Sequence, residues 1–302
     1  MTDLTFSYFP GCSAESTGSS FTQSMNYVAE KIGMKLEEID DWCCCGTSAA
    51  RITNDDLKHA LPTRSLALSE QQHPGMPVIA SCAACYSVLK EAQVYAAESE
   101  ENLAHVNSLI DMDYHASIDV TNILEVLVQP DVQEKVVAAL KTKLNGAKLA
   151  CYYGCLLVRP TEVVQFDNPE NPTKMEGLLN ACGAECVDWS FKTECCGASN
   201  HIVSPKAARK AVERIFRNAK ANGADAIVTA CPLCWLNLDM REDQVNSEMG
   251  TDYHLPVYYF TELIAMAMGA TADEAGLKKH FEPAEAYAAS LFKQPEAEEV
   301  AK

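Results

Sequence analysis

Residues 41–49 read DWCCCGTSA and residues 192–200 read KTECCGASN. Each Cys-Cys-Gly lies in the middle of a longer pattern that occurs twice. The first copy is Cys12, then Cys44-Cys45-Gly46, then Cys82 and Cys85; the second is Cys155, then Cys195-Cys196-Gly197, then Cys231 and Cys234. Gaps of 31 and 36 residues separate the parts of the first copy, and 39 and 34 those of the second. Ten of the 14 cysteines are thereby placed. An order C…CCG…CxxC repeated over such distances predicts two soft-metal sites on two related units, with five sulfurs each.

The copies match beyond cysteine. YFPGC ends at Cys12 and CYYGC at Cys155; PVIASCAAC (77–85) matches DAIVTACPLC (225–234). Asp113-Tyr114-His115 matches Asp252-Tyr253-His254, and Thr121 and Thr261 each open an apolar stretch. The offset between copies drifts from 143 to 151 to 149 and then 139 residues, as expected for an old duplication with altered loops. The pattern predicts a pseudo-symmetric pair of CCG-containing domains, 1–146 and 147–292, with residues 293–302 as a tail.

Each half alternates strand and helix signals. Strands are expected at 4–8, 35–39 and 78–80, and at 148–153, 185–188, 226–229 and 257–260. Helical patterns at 21–32 and 205–222 stop at Gly33 and Gly223, residues suited to the left-handed turn that ends a helix. The predicted class is α/β, with a small, mainly parallel sheet and flanking helices in each domain. Cys12, Cys82, Cys155 and Cys231 each follow an expected strand, where ligands gather in open α/β sheets. A CxxC at a helix start places two thiolates on one turn, near the positive end of the helix. Gly46 and Gly197 are expected to give each CCG loop its backbone freedom and to leave space for a large metal group.

Composition narrows the classes. The formal charge of −18 argues against a nucleic-acid partner. Residues 1–11 lack a basic start and a long apolar run, so no secretory signal is expected. The apolar stretch 256–270 is short and interrupted by Glu262, so no membrane span is expected. A cytoplasmic, reducing compartment follows, where clustered cysteines serve as ligands rather than disulfides. No G-x-G-x-x-G run marks a flavin or NAD site. Structural zinc takes four ligands, and ordinary cubane clusters take four cysteines. Five per site leaves either a bystander or an unusual cluster.

The twice-present C…CCG…CxxC order resembles the CCG-domain family, and the match spans most of the chain. Two intact repeats without a C-x2-C-x2-C-x3-C-P run are similar to the catalytic B subunits of heterodisulfide reductases. The resemblance implies two non-cubane [4Fe-4S] clusters. Cys12, Cys44, Cys45, Cys82 and Cys85 would hold one; Cys155, Cys195, Cys196, Cys231 and Cys234 would hold the other. It further implies reduction of the mixed disulfide of coenzyme M and coenzyme B to two thiols. Implied partners are the iron–sulfur C subunit and the flavin- and iron–sulfur-bearing A subunit of such a complex, with a hydrogenase or formate dehydrogenase feeding them. Other expectations are an electron-relay CCG subunit of the succinate dehydrogenase type E or thiol:fumarate reductase kind, a sulfate-reducer homologue acting on another disulfide, or a structural zinc module.

A small anionic disulfide needs cations or helix N-termini. Arg51, Arg159, Lys192, His201, Lys206 and Arg209 stand near the motifs as candidates. His115 and His254 recur after Asp-Tyr as candidate proton donors, or as structural residues kept with the loop. Trp42, Trp189 and Trp235 flank the motifs and are expected to cover them. Cys43, Cys151, Cys182 and Cys186 lack counterparts in the other copy and read as small buried apolar groups.

Overall fold

A computed structural model describes residues 4–47 and 49–292; the expected tail at 293–302 lies outside them. Two four-stranded sheets form. In the first, β1 (Thr5–Phe9), β2 (Lys35–Glu38), β3 (Val78–Ala80) and β4 (Val120–Asn122) lie in the order β2-β1-β3-β4. In the second, β5 (Lys148–Tyr152), β6 (Glu185–Cys186), β7 (Ala226–Thr229) and β8 (Val257–Tyr259) lie in the order β6-β5-β7-β8. Every pairing is parallel. The α/β class is as expected, and the same order drawn twice is the duplication seen in space.

The expected strands form with small shifts at their ends, and β4 is an addition. Its three residues, Val-Thr-Asn, include an asparagine, a type depleted in strands. Its counterpart β8 reads as a strand because Val-Tyr-Tyr has β-prone side chains. β3, β7 and β8 are wholly buried, whereas the edge strands β2 and β6 face solvent. That contrast is normal for a parallel sheet covered by helices on both faces.

The strand order places the cysteines. From β1 the chain first moves to β2 on one side, then returns to β3 on the other. A crevice opens between β1 and β3 where the direction reverses. Cys12 follows β1 and Cys82 follows β3, so both flank that crevice. Cys155 after β5 and Cys231 after β7 repeat the arrangement.

The two halves interlock through helices. The helix Ser19–Ile32 buries Phe21, Met25, Val28, Ala29 and Ile32, one stripe of a 3.6-residue repeat. It packs on the helix Phe260–Ala267 from the other half. Helix Ile123–Leu127 of the first half likewise packs on Lys174–Ala181 of the second. Phe21 stacks on Tyr259 with ring centroids 4.5 Å apart, and the Ser24 and Thr261 hydroxyls hydrogen-bond at 2.7 Å. Among the described residues no helix is long and apolar enough to cross a membrane.

His280 clamps the second half. Its Nε2 lies 3.1 Å from Glu262, on helix Phe260–Ala267. Its Nδ1 lies 3.5 Å from Asp239, at the end of helix Pro232–Asp239. Both carboxylates are fully buried. Burial opposes the imidazolium, but the two carboxylates outweigh it and push the pKa up to about 10. A raised folded-state value means this stabilisation is complete below the ordinary 6.5 and is lost as pH rises through about 10. The melting temperature should therefore fall across that window, and His280→Gln should flatten the fall when both are followed by circular dichroism. An unchanged slope in the variant would refute the clamp.

Candidate metal centre

The five cysteines of the second copy line one small cavity of about 40 Å³. Ala83 and Ala84, from the CxxC of the first copy, form part of its wall. Cys196 and Cys234 sulfurs lie 3.7 Å apart, as Cys45 and Cys85 sulfurs do at 3.3 Å in the first copy. Cys82 and Cys231 lie close enough to shift each other's thiol pKa, up for Cys82 and down for Cys231, and Ala83 and Ala84 wall the cavity of the other copy, so the two copies meet at their CxxC motifs. Each of these two residues caps a helix, Ala83–Glu98 and Pro232–Asp239, with Pro232 at the first helical position. Among the described residues, no three metal-ligating side chains converge as a single ion requires.

Exposure repeats between the copies. Cys44 and Cys195 are exposed, Cys12 is exposed and Cys155 half-buried, while Cys45, Cys82, Cys85, Cys196, Cys231 and Cys234 are buried. Each set thus has an outer and an inner side, and the inner sides face each other. The loops are tied together. Thr47 donates to the Ala84 carbonyl at 3.3 Å, and Asn237 donates to the Cys196 carbonyl at 2.8 Å. The backbone N–H groups of Tyr153 and Gly154 both donate to the Lys192 carbonyl.

Two glycine positions make room. Gly11 and Gly154, each preceding the first cysteine of its set, have φ of +75° and +67°. A Cβ there would lie 3.0 Å from the Cys85 sulfur and 2.9 Å from the Cys234 sulfur, respectively. Gly46 and Gly197 serve another purpose: a Cβ on them would strike Ala50 and Ala208 at 2.7 and 3.0 Å. The expectation that the CCG glycine clears space for the metal is thus replaced by close packing on the following segment. The glycines that do lie next to sulfur stand in YFPGC and CYYGC, where nothing in the local pattern distinguishes them.

Crowded thiols cannot all ionise without a cation. Cys45 is pushed down to about 4 by hydrogen bonds from Cys44 and Cys85, and Cys44 is pushed up by that same contact. Cys195 falls to about 6 through its contact with Cys155, which is pushed up. Cys231 is held down by Cys234 and Cys82, both of which rise. An all-sulfur, largely buried donor set that needs a positive centre to release its protons fits a soft-metal group.

The other expected residues spread more widely. Arg51 makes a two-pronged contact with Glu91 at 2.6 and 3.1 Å, and Arg209 pairs with Glu248 at 2.7 Å. Arg159 bonds the Thr193 and Pro169 carbonyls and Glu170. Lys192 is buried and paired with Glu176 at 2.8 Å. His201 is half-buried and Lys206 exposed, both just beyond the second CCG. His115 and His254 lie on exposed turns beside Asp113 and Asp252, and neither lines the cavity. Trp235 and Trp189 are buried, and Trp42 is half-buried against Phe9. Cys151 and Cys182 are buried; Cys43 and Cys186 are half-buried, with Cys186 sulfur 3.7 Å from that of Cys151. At matching places after the two CCG loops, Ile52, Ile202 and Val203 stand almost fully exposed.

The CCG cysteine-rich domain model matches residues 6–90 and 149–239. This chain belongs to the CCG cysteine-rich domain family. It is 30% identical to an 8-methylmenaquinol:fumarate reductase membrane anchor subunit of Wolinella succinogenes, over 90% of this chain and 95% of that one. It is also 30% identical to the B subunit of a ferredoxin/F420H2-dependent CoB-CoM heterodisulfide reductase of Methanosarcina acetivorans, over 91% and 92%. A protein of Archaeoglobus profundus described as like the B subunit of heterodisulfide reductase is 28% identical over 87% and 90%. The fold also matches a hypothetical protein from Helicobacter pylori, with a TM-score of 0.74 at 14% identity. That match covers 94% of this chain and 53% of the other, so this CCG chain spans about half its length.

The glycine geometry predicts a separable effect. Gly154→Ala should fold yet lose metal from the second set, because its methyl meets the Cys234 sulfur. Gly223→Ala, with similar φ of +77° but open space around it, should keep its metal. Metal content per chain after anaerobic purification is the measurement. Equal losses in both variants would assign the effect to backbone strain alone.

Proposed function

We propose that the chain is the iron–sulfur subunit of an oxidoreductase complex that reduces the mixed disulfide of two small anionic thiols, coenzyme M and coenzyme B. The observation that carries the reading is the meeting of the two CxxC motifs, where Ala83 and Ala84 of the first wall the cavity that the five cysteines of the second copy line. In this reading Cys12, Cys44, Cys45, Cys82 and Cys85 hold one non-cubane [4Fe-4S] cluster. Cys155, Cys195, Cys196, Cys231 and Cys234 hold a second, in domains 1–146 and 147–292. Bound there, the clusters supply one-electron transfer and iron able to take sulfur.

The chain's own residues do the rest. Cleaving a disulfide takes two electrons and two protons and yields two thiols. Two adjoining cysteine sets let each side serve one sulfur of the substrate. Ala83, Ala84 and Leu233 leave the cavity wall apolar and small. Lys206 is the cation we assign to the anionic ends, with His201 beside it as a neutral hydrogen-bonding imidazole, held below its ordinary pKa by burial and by Arg241 and Arg209. Arg51, Arg159, Lys192 and Arg209 already have partners and brace the loops instead. Electrons arrive from two partner subunits, one carrying iron–sulfur clusters and the other flavin, served by a hydrogenase or formate dehydrogenase. The cytoplasm is the proposed location.

The equal identity to the fumarate reductase relative favours one further reading, in which the same two centres relay electrons and cleave no disulfide. The assay separates them. In the complex, Cys196→Ala and Cys45→Ala should each abolish reduction of the coenzyme M–coenzyme B disulfide. Adding that disulfide to the wild type should alter its electron paramagnetic resonance (EPR) signal. Full activity with one set removed would refute the paired mechanism, and an inert wild type would favour the relay.

A further inference from the structure

Helix Pro205–Ala221 follows the second CCG loop and carries Lys206, Arg209, Lys210, Arg214, Arg217 and Lys220 against one carboxylate, Glu213. Six cations against one carboxylate leave +5 on this helix, in a chain whose formal charge is −18. The matching helix of the first copy, Asp55–Gln72, has two cations, Lys58 and Arg64, and three carboxylates, Asp55, Asp56 and Glu70. The copies therefore differ in charge at a place where their folds agree.

Five of the six cations form a row. Lys206, Lys210, Arg214, Arg217 and Lys220 recur at steps of four, four, three and three, and all are exposed. The opposite stripe, Ala208, Val212, Ile215, Phe216 and Ala219, is buried. The row is about 21 Å long at the helical rise of about 1.5 Å per residue. Its charges are little compensated. Lys220 donates to the Asp252 and Tyr253 carbonyls at 2.9 and 3.3 Å, and Arg214 lies over the Phe191 ring at 5.3 Å. Glu213 is 3.5 Å from Arg217 and also accepts from the Tyr253 hydroxyl. Glu248, on the neighbouring helix Glu242–Met249, is taken by Arg209.

The row begins at the second cysteine set. Gly197 packs on Ala208, whose Cα lies 3.0 Å from where a Cβ on that glycine would stand. Cys195 is exposed, and Ile202 and Val203 are 91% and 87% exposed just before the helix. An apolar patch with a charged rim beside an exposed metal ligand has the make-up of an electron-transfer interface. Such encounters bury little surface, under about 1,200 Å², and opposite charge steers them. An anionic bilayer fits less well, because the apolar stripe that a surface helix would insert is spent on the core.

We propose that the exposed face of helix Pro205–Ala221, with Ile202 and Val203, docks an acidic electron-carrier protein over Cys195, so that electrons enter the chain at the second cysteine set. The carrier loses one electron per encounter, and the group held by that set gains it. The entry step rests on the cluster reading given above; the docking does not.

The probe is a ferredoxin rich in surface carboxylates. Oxidised ferredoxin should bind the whole chain at low salt and release as salt rises to about 0.3 M. Lys210→Glu/Arg217→Glu should weaken that binding about tenfold or more, and slow reduction of the chain by reduced ferredoxin as much. Lys35→Glu/Lys148→Glu makes the same charge change on exposed residues at the starts of β2 and β5, and should change neither by more than about twofold. Melting curves and iron and sulfide contents are matched among the variants first. Binding unmoved by Lys210→Glu/Arg217→Glu, or moved equally by Lys35→Glu/Lys148→Glu, would overturn the docking face. Absence of ferredoxin binding would overturn it too; if vesicles of anionic phospholipid bind instead and Lys210→Glu/Arg217→Glu abolishes that, the face meets a membrane. Ferredoxin bound as expected by a chain without iron and sulfide would uphold the docking and overturn the cluster reading beneath the entry step.

Discussion

The parallel pairing of β1 with β3 and of β5 with β7 is the constraint on which the rest depends. Parallel neighbours force the chain to cross over and return, and the return opens a crevice at the strand ends. The first cysteine of each set leaves the crevice on one side and the CxxC enters it on the other. The CCG loop closes the ring from the edge strand. Residues more than 70 positions apart, such as Cys12 and Cys85, are thus gathered by backbone topology alone. Each half does this once, and the interlocked helices bring the two products together.

That interlock also explains why a duplication was useful. A single repeat would lack the partner motif that Cys82, Ala83 and Ala84 meet. In the pair, Ala83 and Ala84 become one wall of the other repeat's cavity, and Cys82 meets Cys231 beside it. Phe21 and Tyr259 stack across the halves, and Tyr259 continues through Trp235 to Cys234. Packing between the halves and placement of the inner sulfurs are therefore one structural problem. The outer sulfurs, Cys44 and Cys195, remain exposed.

Much of this was legible in the sequence because it depends on order and spacing. The duplicated C…CCG…CxxC pattern revealed the repeat, and glycine stops and apolar runs revealed the α/β alternation. β4 escaped because one of its three residues, Asn122, is of a type depleted in strands, whereas the equally short β3 and β8 carry only apolar or aromatic side chains. The roles of Gly11 and Gly154 escaped because closeness to the Cys85 and Cys234 sulfurs is set by the fold of a loop. Charged residues were the least legible. Lys192 reads like any surface lysine, yet it is buried against Glu176. Its partner lies 16 positions away, and no local pattern announces such a pairing.

The central claim is that each set of five sulfurs holds one multi-iron group. The most direct measurement is the iron, acid-labile sulfide and zinc content of the chain purified without oxygen. The account predicts iron and sulfide in equal amounts, at a level for two clusters, falling by half in Cys196→Ala. Zinc without sulfide, or iron that Cys196→Ala leaves unchanged, would contradict it.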